Sequence, residues 1–118
     1  SIDKVAMVLK VDDNDCITYA NESFLEIFKY KSEEIVGEKQ SSLRFEDEEQ
    51  EYIRRNNSFG NIWKEKLNFK ASNGNFLQID SITLPIYDER NEKIQEYYVV
   101  GFLISKQELK EDNTQKRT

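Results

Sequence analysis

The chain has 118 residues, about one domain's worth, with 37% hydrophobic and 34% charged residues and a formal net charge of −6. That balance argues against a nucleic-acid or anionic-membrane binder, because both need a basic face. The single Cys excludes an intramolecular disulfide and points to a reducing, cytoplasmic setting, while the absence of His removes His catalysis, His-ligated haem and the usual zinc sites.

The elements follow in chain order. Val5 to Val11 predicts a first strand, and Asp12 to Asp15 a turn of residues that bond their own backbone. Cys16 to Ala20 predicts a second strand, with Ile17 and Tyr19 as its apolar positions. Asn21 is a good helix N-cap, and Phe24, Ile27 and Phe28 then fall on one helical face. Ser32 to Gly37 reads as a very short helix, capped by Ser32 and stopped by Gly37. Acids at the front and Arg54 and Arg55 at the back predict a helix from about Asp47 to Asn56.

From Asn61 the period changes to two. Trp63, Leu67 and Phe69 point one way, and Lys64, Lys66, Asn68 and Lys70 the other. Asn73-Gly74 signals a hairpin. The next strand, Phe76 to Ile86, shifts its apolar phase between Ile79 and Ile82, which predicts a bulge near Asp80 and Ser81. After a turn at Asp88, the strand Ile94 to Ile104 is apolar on both faces, as for a strand covered on both sides. The tail from Lys106 is polar. The predicted fold class is α+β, with a five-stranded antiparallel sheet and short helices on one face. No apolar run approaches the roughly 20 residues that span a bilayer, and no signal peptide is present. The chain opens on Ser rather than Met, so it reads as a piece of a longer protein whose membrane attachment stays open.

Two stretches resemble the PAS sensory domains. "ITYANESFLEIFKYKSEEIVGE" is similar to the family's N-terminal half: a strand ending in Asn, a helix, a short helix, then Gly. "ASNGNFLQIDSITLPIYDERNEKIQEYYVVGFLIS" is similar to its C-terminal half through Gly74, Phe76, Pro85, Asp88 and Gly101. The resemblance implies a sensory domain over residues 1–105, with 106–118 a polar linker or the start of a signalling helix. It also implies a sensory or dimerisation module of a bacterial histidine kinase (two-component system), diguanylate cyclase or chemoreceptor. Such a module binds a small molecule or a second subunit through its sheet face and relays the change to an attached output domain.

The departures narrow the cofactor. The photosensing flavin branch has a reactive Cys near the place where Gln40 stands, and a Gln where Leu103 stands, so the resemblance does not favour cysteinyl-flavin photochemistry. A non-covalent flavin or a small metabolite stays open. Leu103 and Ser105 also replace two residues of the Asp-Ile-Thr motif that often closes the family's domain.

The pocket-lining candidates are Trp63, Phe28, Phe45, Leu67, Phe69, Ile79 and Ile82, beside Phe24, Leu43, Ile53 and Phe59. Apolar residues at these spacings ordinarily just fill a core. Trp63 is the best marker, since some redox-sensing flavin members carry a Trp at the comparable strand start. Asn68, Gln78 and Asp80 are the polar groups of the sheet, and Asn68 should face solvent. The Asp12 to Cys16 stretch lacks the Gly and closing Glu of a calcium loop, the acids from Glu46 to Glu51 read as a charged helix face, and Cys16 as an inert small hydrophobe. No catalytic or metal constellation is apparent, and the chain is not expected to be an enzyme. The alternatives are a small α+β enzyme or carrier relying on a buried Asp80, and a ligand-free structural spacer.

Overall fold

The computed structural model describes residues 6–45, 49, 52 and 60–108. Its elements are β1 (Met7–Val11), β2 (Ile17–Ala20), α1 (Glu22–Phe28), α2 (Ser32–Ile35), a 3₁₀ turn (Gln40–Leu43), β3 (Trp63–Lys70), β4 (Phe76–Tyr87) and β5 (Ile94–Gln107). The strands form one antiparallel sheet in the order β2-β1-β5-β4-β3. The chain between β2 and β3 must therefore pass from one sheet edge to the other, and α1, α2 and the 3₁₀ turn lie on that path. The expected helix over Asp47 to Asn56 lies outside the described residues apart from Glu49 and Tyr52, which are helical.

Alternation sets the two sheet faces. Met7, Leu9 and Val11 of β1, Leu67 and Phe69 of β3, Leu77, Ile79 and Ser81 of β4, and Val99 and Gly101 of β5 are buried on the inner face. Phe24 and Phe28 of α1 and Ile35 of α2 join the same core. The Phe24 and Phe28 rings stack at 4.1 Å, and Phe28 meets Phe69 edge-on at 5.4 Å. The helical face that begins at Phe24 is thus turned onto the sheet. Ile27 is only half-buried at its margin.

Local chemistry explains the turns. Asp12 Oδ1 accepts the N–H groups of Asn14 and Cys16, both at 2.9 Å, which closes the β1–β2 turn. The β1–β2 register then skips Thr18, whose hydroxyl donates to the Lys10 carbonyl at 3.2 Å. This bulge reverses the strand's phase. Ile17 and Ala20 face the core, and Tyr19, the strand's other apolar position, is exposed.

Four further expectations are refined or corrected in detail. The cap of α2 is Lys31 rather than Ser32, and its N–H donates to the Glu34 carboxylate at 2.8 Å. The expected β3–β4 hairpin forms, closed by the Ala71 N–H on the Asn75 carbonyl at 2.9 Å, but of Asn73 and Gly74 only Gly74, at φ 91°, takes a positive φ. The expected bulge at Asp80 and Ser81 is absent. β4 keeps its alternation there, with Ser81 inward and Ile82 outward, so the apolar phase shifts only because a Ser occupies a core position. The irregularity lies across the ladder, where Gln78 pairs with Ser105 and Ile79 with Leu103, leaving Ile104 as the extra residue. Finally, β5 runs to Gln107, past the expected strand end at Ile104, and Phe102 and Ile104 on it are exposed rather than covered.

Candidate functional site: a small core cavity under helix α1

Two small residues meet on the inner face. Gly101 and Ser81 are direct partners in the β4–β5 ladder, and Met7 is the partner of Gly101 on its other side. A Cβ at Gly101 would stand 2.6 Å from Ile79 Cγ2, so glycine is what lets Ile79 cross β5 at this point. With so little side chain at two adjacent positions, the sheet cannot fill the space beneath the helix. A cavity of about 20 Å³ remains. Its sheet wall includes Ile79, Ser81, Val99 and Gly101, and its helical wall includes Phe24, Phe28 and Gln40.

The cavity has two polar side chains in its wall. Ser81 is 2% exposed, and its Oγ has no hydrogen-bond partner. Leaving such a hydroxyl unpaired costs about 1–3 kcal/mol. Gln40 is 7% exposed and opens the 3₁₀ turn. The turn is held from the β1–β2 loop. Asp15, at φ 70°, accepts the Gln40 N–H on its carbonyl at 2.9 Å and the Ser41 N–H on Oδ2 at 3.0 Å. At its other end, the Phe45 N–H donates to the Asn68 carbonyl of β3 at 2.8 Å. The aspartate-rich turn thus fixes where Gln40 enters the core.

The sequence candidates separate in space. Phe28, Phe69 and Ile79 line the cavity. Leu67 is buried in the same core without reaching the cavity. Trp63 lies at the far end of β3, half-buried beside an open groove with Ile62, Pro85 and Tyr87, and its buried Nε1 has no partner. Phe45 is 43% exposed and packs edge-on against Phe76 at 5.0 Å. Ile82 is on the outer face, in register with Lys64 and Val100. Ile53 and Phe59 lie outside the described residues. Asn68 and Asp80 are exposed.

Sequence reasoning missed Ser81 and the inward aim of Gln40. A serine in the core phase of a strand is the available signal for the first, and in sequence it is indistinguishable from the expected bulge. Among the described residues no group of three or more Cys, Asp or Glu could hold a metal ion. No helix among them is long and apolar enough to cross a membrane.

Size decides which ligands fit. Cofactor-sized pockets run to about 300–1,000 Å³, far above this cavity. A flavin does not fit among Phe24, Phe28, Phe69 and Ile79 as they are packed.

Short helices thus lie against the inner face of a five-stranded antiparallel sheet, with a small core cavity beneath the first of them, an α+β architecture. A family model described as PAS domain matches residues 4–104, and the chain belongs to the PAS domain family. Solved structures agree on the fold. The LOV domain of the Erythrobacter litoralis blue-light-activated histidine kinase superposes with a TM-score of 0.72 at 17% identity, covering 84% of this chain and 95% of that one. A PAS domain from Colwellia psychrerythraea gives 0.71 at 18% identity, over 84% and 86% of the two chains. The PAS domain of an HTR-like protein from Haloarcula marismortui gives 0.70 at 14%, over 84% and 81%. A search of curated proteins gives no match.

Proposed function

We propose that this chain is the cytoplasmic sensory module of a bacterial signalling protein of the histidine kinase, diguanylate cyclase or chemoreceptor kind. It responds to occupancy of its core site and relays the change along β5 to an attached output domain. The observation that carries this reading is the course of β5. The strand supplies Val99 and Gly101 to the cavity wall, is hydrogen-bonded on both sides at the sheet centre, and continues as strand to Gln107. A change at the cavity therefore acts on the element that leaves the domain. Residues 106–118 serve as the linker in this reading.

The second role is dimerisation through the outer sheet face. Val8, Val100 and Ile82 form one half-buried cross-strand row there, and Lys10, Tyr98 and Leu84 the next. Lys10 Nζ sits 5.3 Å from the ring centroids of both Tyr19 and Tyr98. An apolar sheet face left open in one copy is economically covered by a second. Sedimentation should give a dimer that Ile82→Glu converts to a monomer; a wild-type monomer at high concentration contradicts this part.

The test of the sensory role is a fusion. Placing this chain in front of the kinase half of a PAS-regulated histidine kinase should give autophosphorylation that changes with Ser81 and Gln40 variants that remain folded. Identical output from all folded variants favours the ligand-free spacer, which the small cavity also suits. The enzyme or carrier reading relied on a buried Asp80, and that side chain is exposed.

A further inference from the structure

We propose that the cavity is a built site for a single water-sized hydrogen-bonding molecule, held by the Ser81 hydroxyl with the Gln40 side chain as its second partner. Three observations converge on it. The volume of about 20 Å³ is enough for one water, which needs about 10–15 Å³ by the same measure, and too small for any ring. The Ser81 Oγ is buried in the wall with no protein partner, so it has one donor and two acceptor sites to offer. Gln40, buried in the same wall from the helical side, carries a primary amide able to donate and accept.

The alternative, a dry void, is the rule for cavities lined only by apolar groups. This one is not. Nor is Ser81 required for shape, since alanine would serve the ladder equally well beside Gly101. In aqueous buffer the occupant is water. A ligand that displaces it is of the same class, a neutral polar molecule of one or two heavy atoms. The inference deepens the sensory reading by naming its ligand class, and it rests on that reading only for the regulatory meaning.

High-resolution crystallography of the full chain, with and without xenon pressure, tests it. The wild type should show one ordered peak within hydrogen-bond distance of Ser81 Oγ and should exclude xenon. Ser81→Ala should lose the peak, admit xenon and lower the folding equilibrium constant by roughly 5- to 10-fold in urea denaturation. Gln40→Met, near-isosteric and apolar, should weaken or shift the same peak. A dry, xenon-binding cavity in the wild type overturns the proposal. So does a peak unchanged in both variants, or a Ser81→Ala protein as stable as the wild type. Kinase output is not read in this experiment, so a dry cavity removes the occupant and leaves the sensory role to its own fusion test.

Discussion

Asn21 and Val8 are joined twice. The Val8 N–H donates to Asn21 Oδ1 at 3.0 Å, and the Asn21 N–H donates to the Val8 carbonyl at 3.0 Å. The same Oδ1 accepts the Phe24 N–H at 3.0 Å, and Nδ2 donates to the Ala6 carbonyl at 2.9 Å. One side chain therefore caps α1 and pins it to β1, which brings the Phe24 and Phe28 rings down on the sheet. Asn21→Ala should cost about 2–3 kcal/mol, a cap together with partly buried hydrogen bonds. Asn21→Asp keeps the acceptor and loses the donor to Ala6, so it should cost less. Urea denaturation of the three proteins checks the order.

Gly101 and Ile79 form a pair with a coupled tolerance. Gly101→Ala drives a Cβ against Ile79 Cγ2 and should destabilise by about 1–3 kcal/mol, the usual cost of overpacking. Ile79→Leu moves the branch away from Cβ and removes that methyl. The double variant should therefore be more stable than the sum of the two single changes allows. An additive double-mutant cycle would mean that the clash is relieved elsewhere.

Two aromatic residues that look alike in sequence should behave differently. Phe28 is 1% exposed, stacked on Phe24 and edge-on to Phe69, so Phe28→Ala should cost about 3–5 kcal/mol. Phe45 keeps much of its surface in solvent, and Phe45→Ala should cost under about 1 kcal/mol beyond its single ring contact. Thermal melts of the two variants separate core from periphery.

The legibility of the fold followed the clarity of local chemistry. Asn21, the Asp12 turn, Gly37 and the alternation of β3 each make a local demand that only one geometry meets, so the order of elements could be read directly. Tyr19 and Ser81 could not be placed. The Thr18 bulge that turns Tyr19 outward is a property of the β1–β2 pairing. Ser81 mimics a phase shift only because a polar residue sits in the core. The same serine makes Ile82, which stands on the outer face, resemble a pocket-lining position. The cavity itself depends on where Gly101, Ser81 and the helix rings meet, and no single stretch of sequence contains all three.

Tyr97 packs partly against the core, and burial raises its hydroxyl above the ordinary tyrosine range. The unfolded chain then ionises first as pH rises. The contribution is complete below the unfolded value near 10 and is lost as pH climbs from there through the folded-state value. Denaturation midpoints should therefore fall more steeply above about pH 10 in the wild type than in Tyr97→Phe. Parallel curves would show that Tyr97 has no part in the alkaline loss.

The relay along β5 is the central claim, and backbone amide chemical shifts of the wild type against Ser81→Ala test it most directly. If the cavity is coupled to the departing strand, shifts should change in Gly101 and continue through Phe102 to Gln107, while the far end of β3 at Trp63 stays still. Changes confined to Ser81, Gln40 and their immediate neighbours would contradict it.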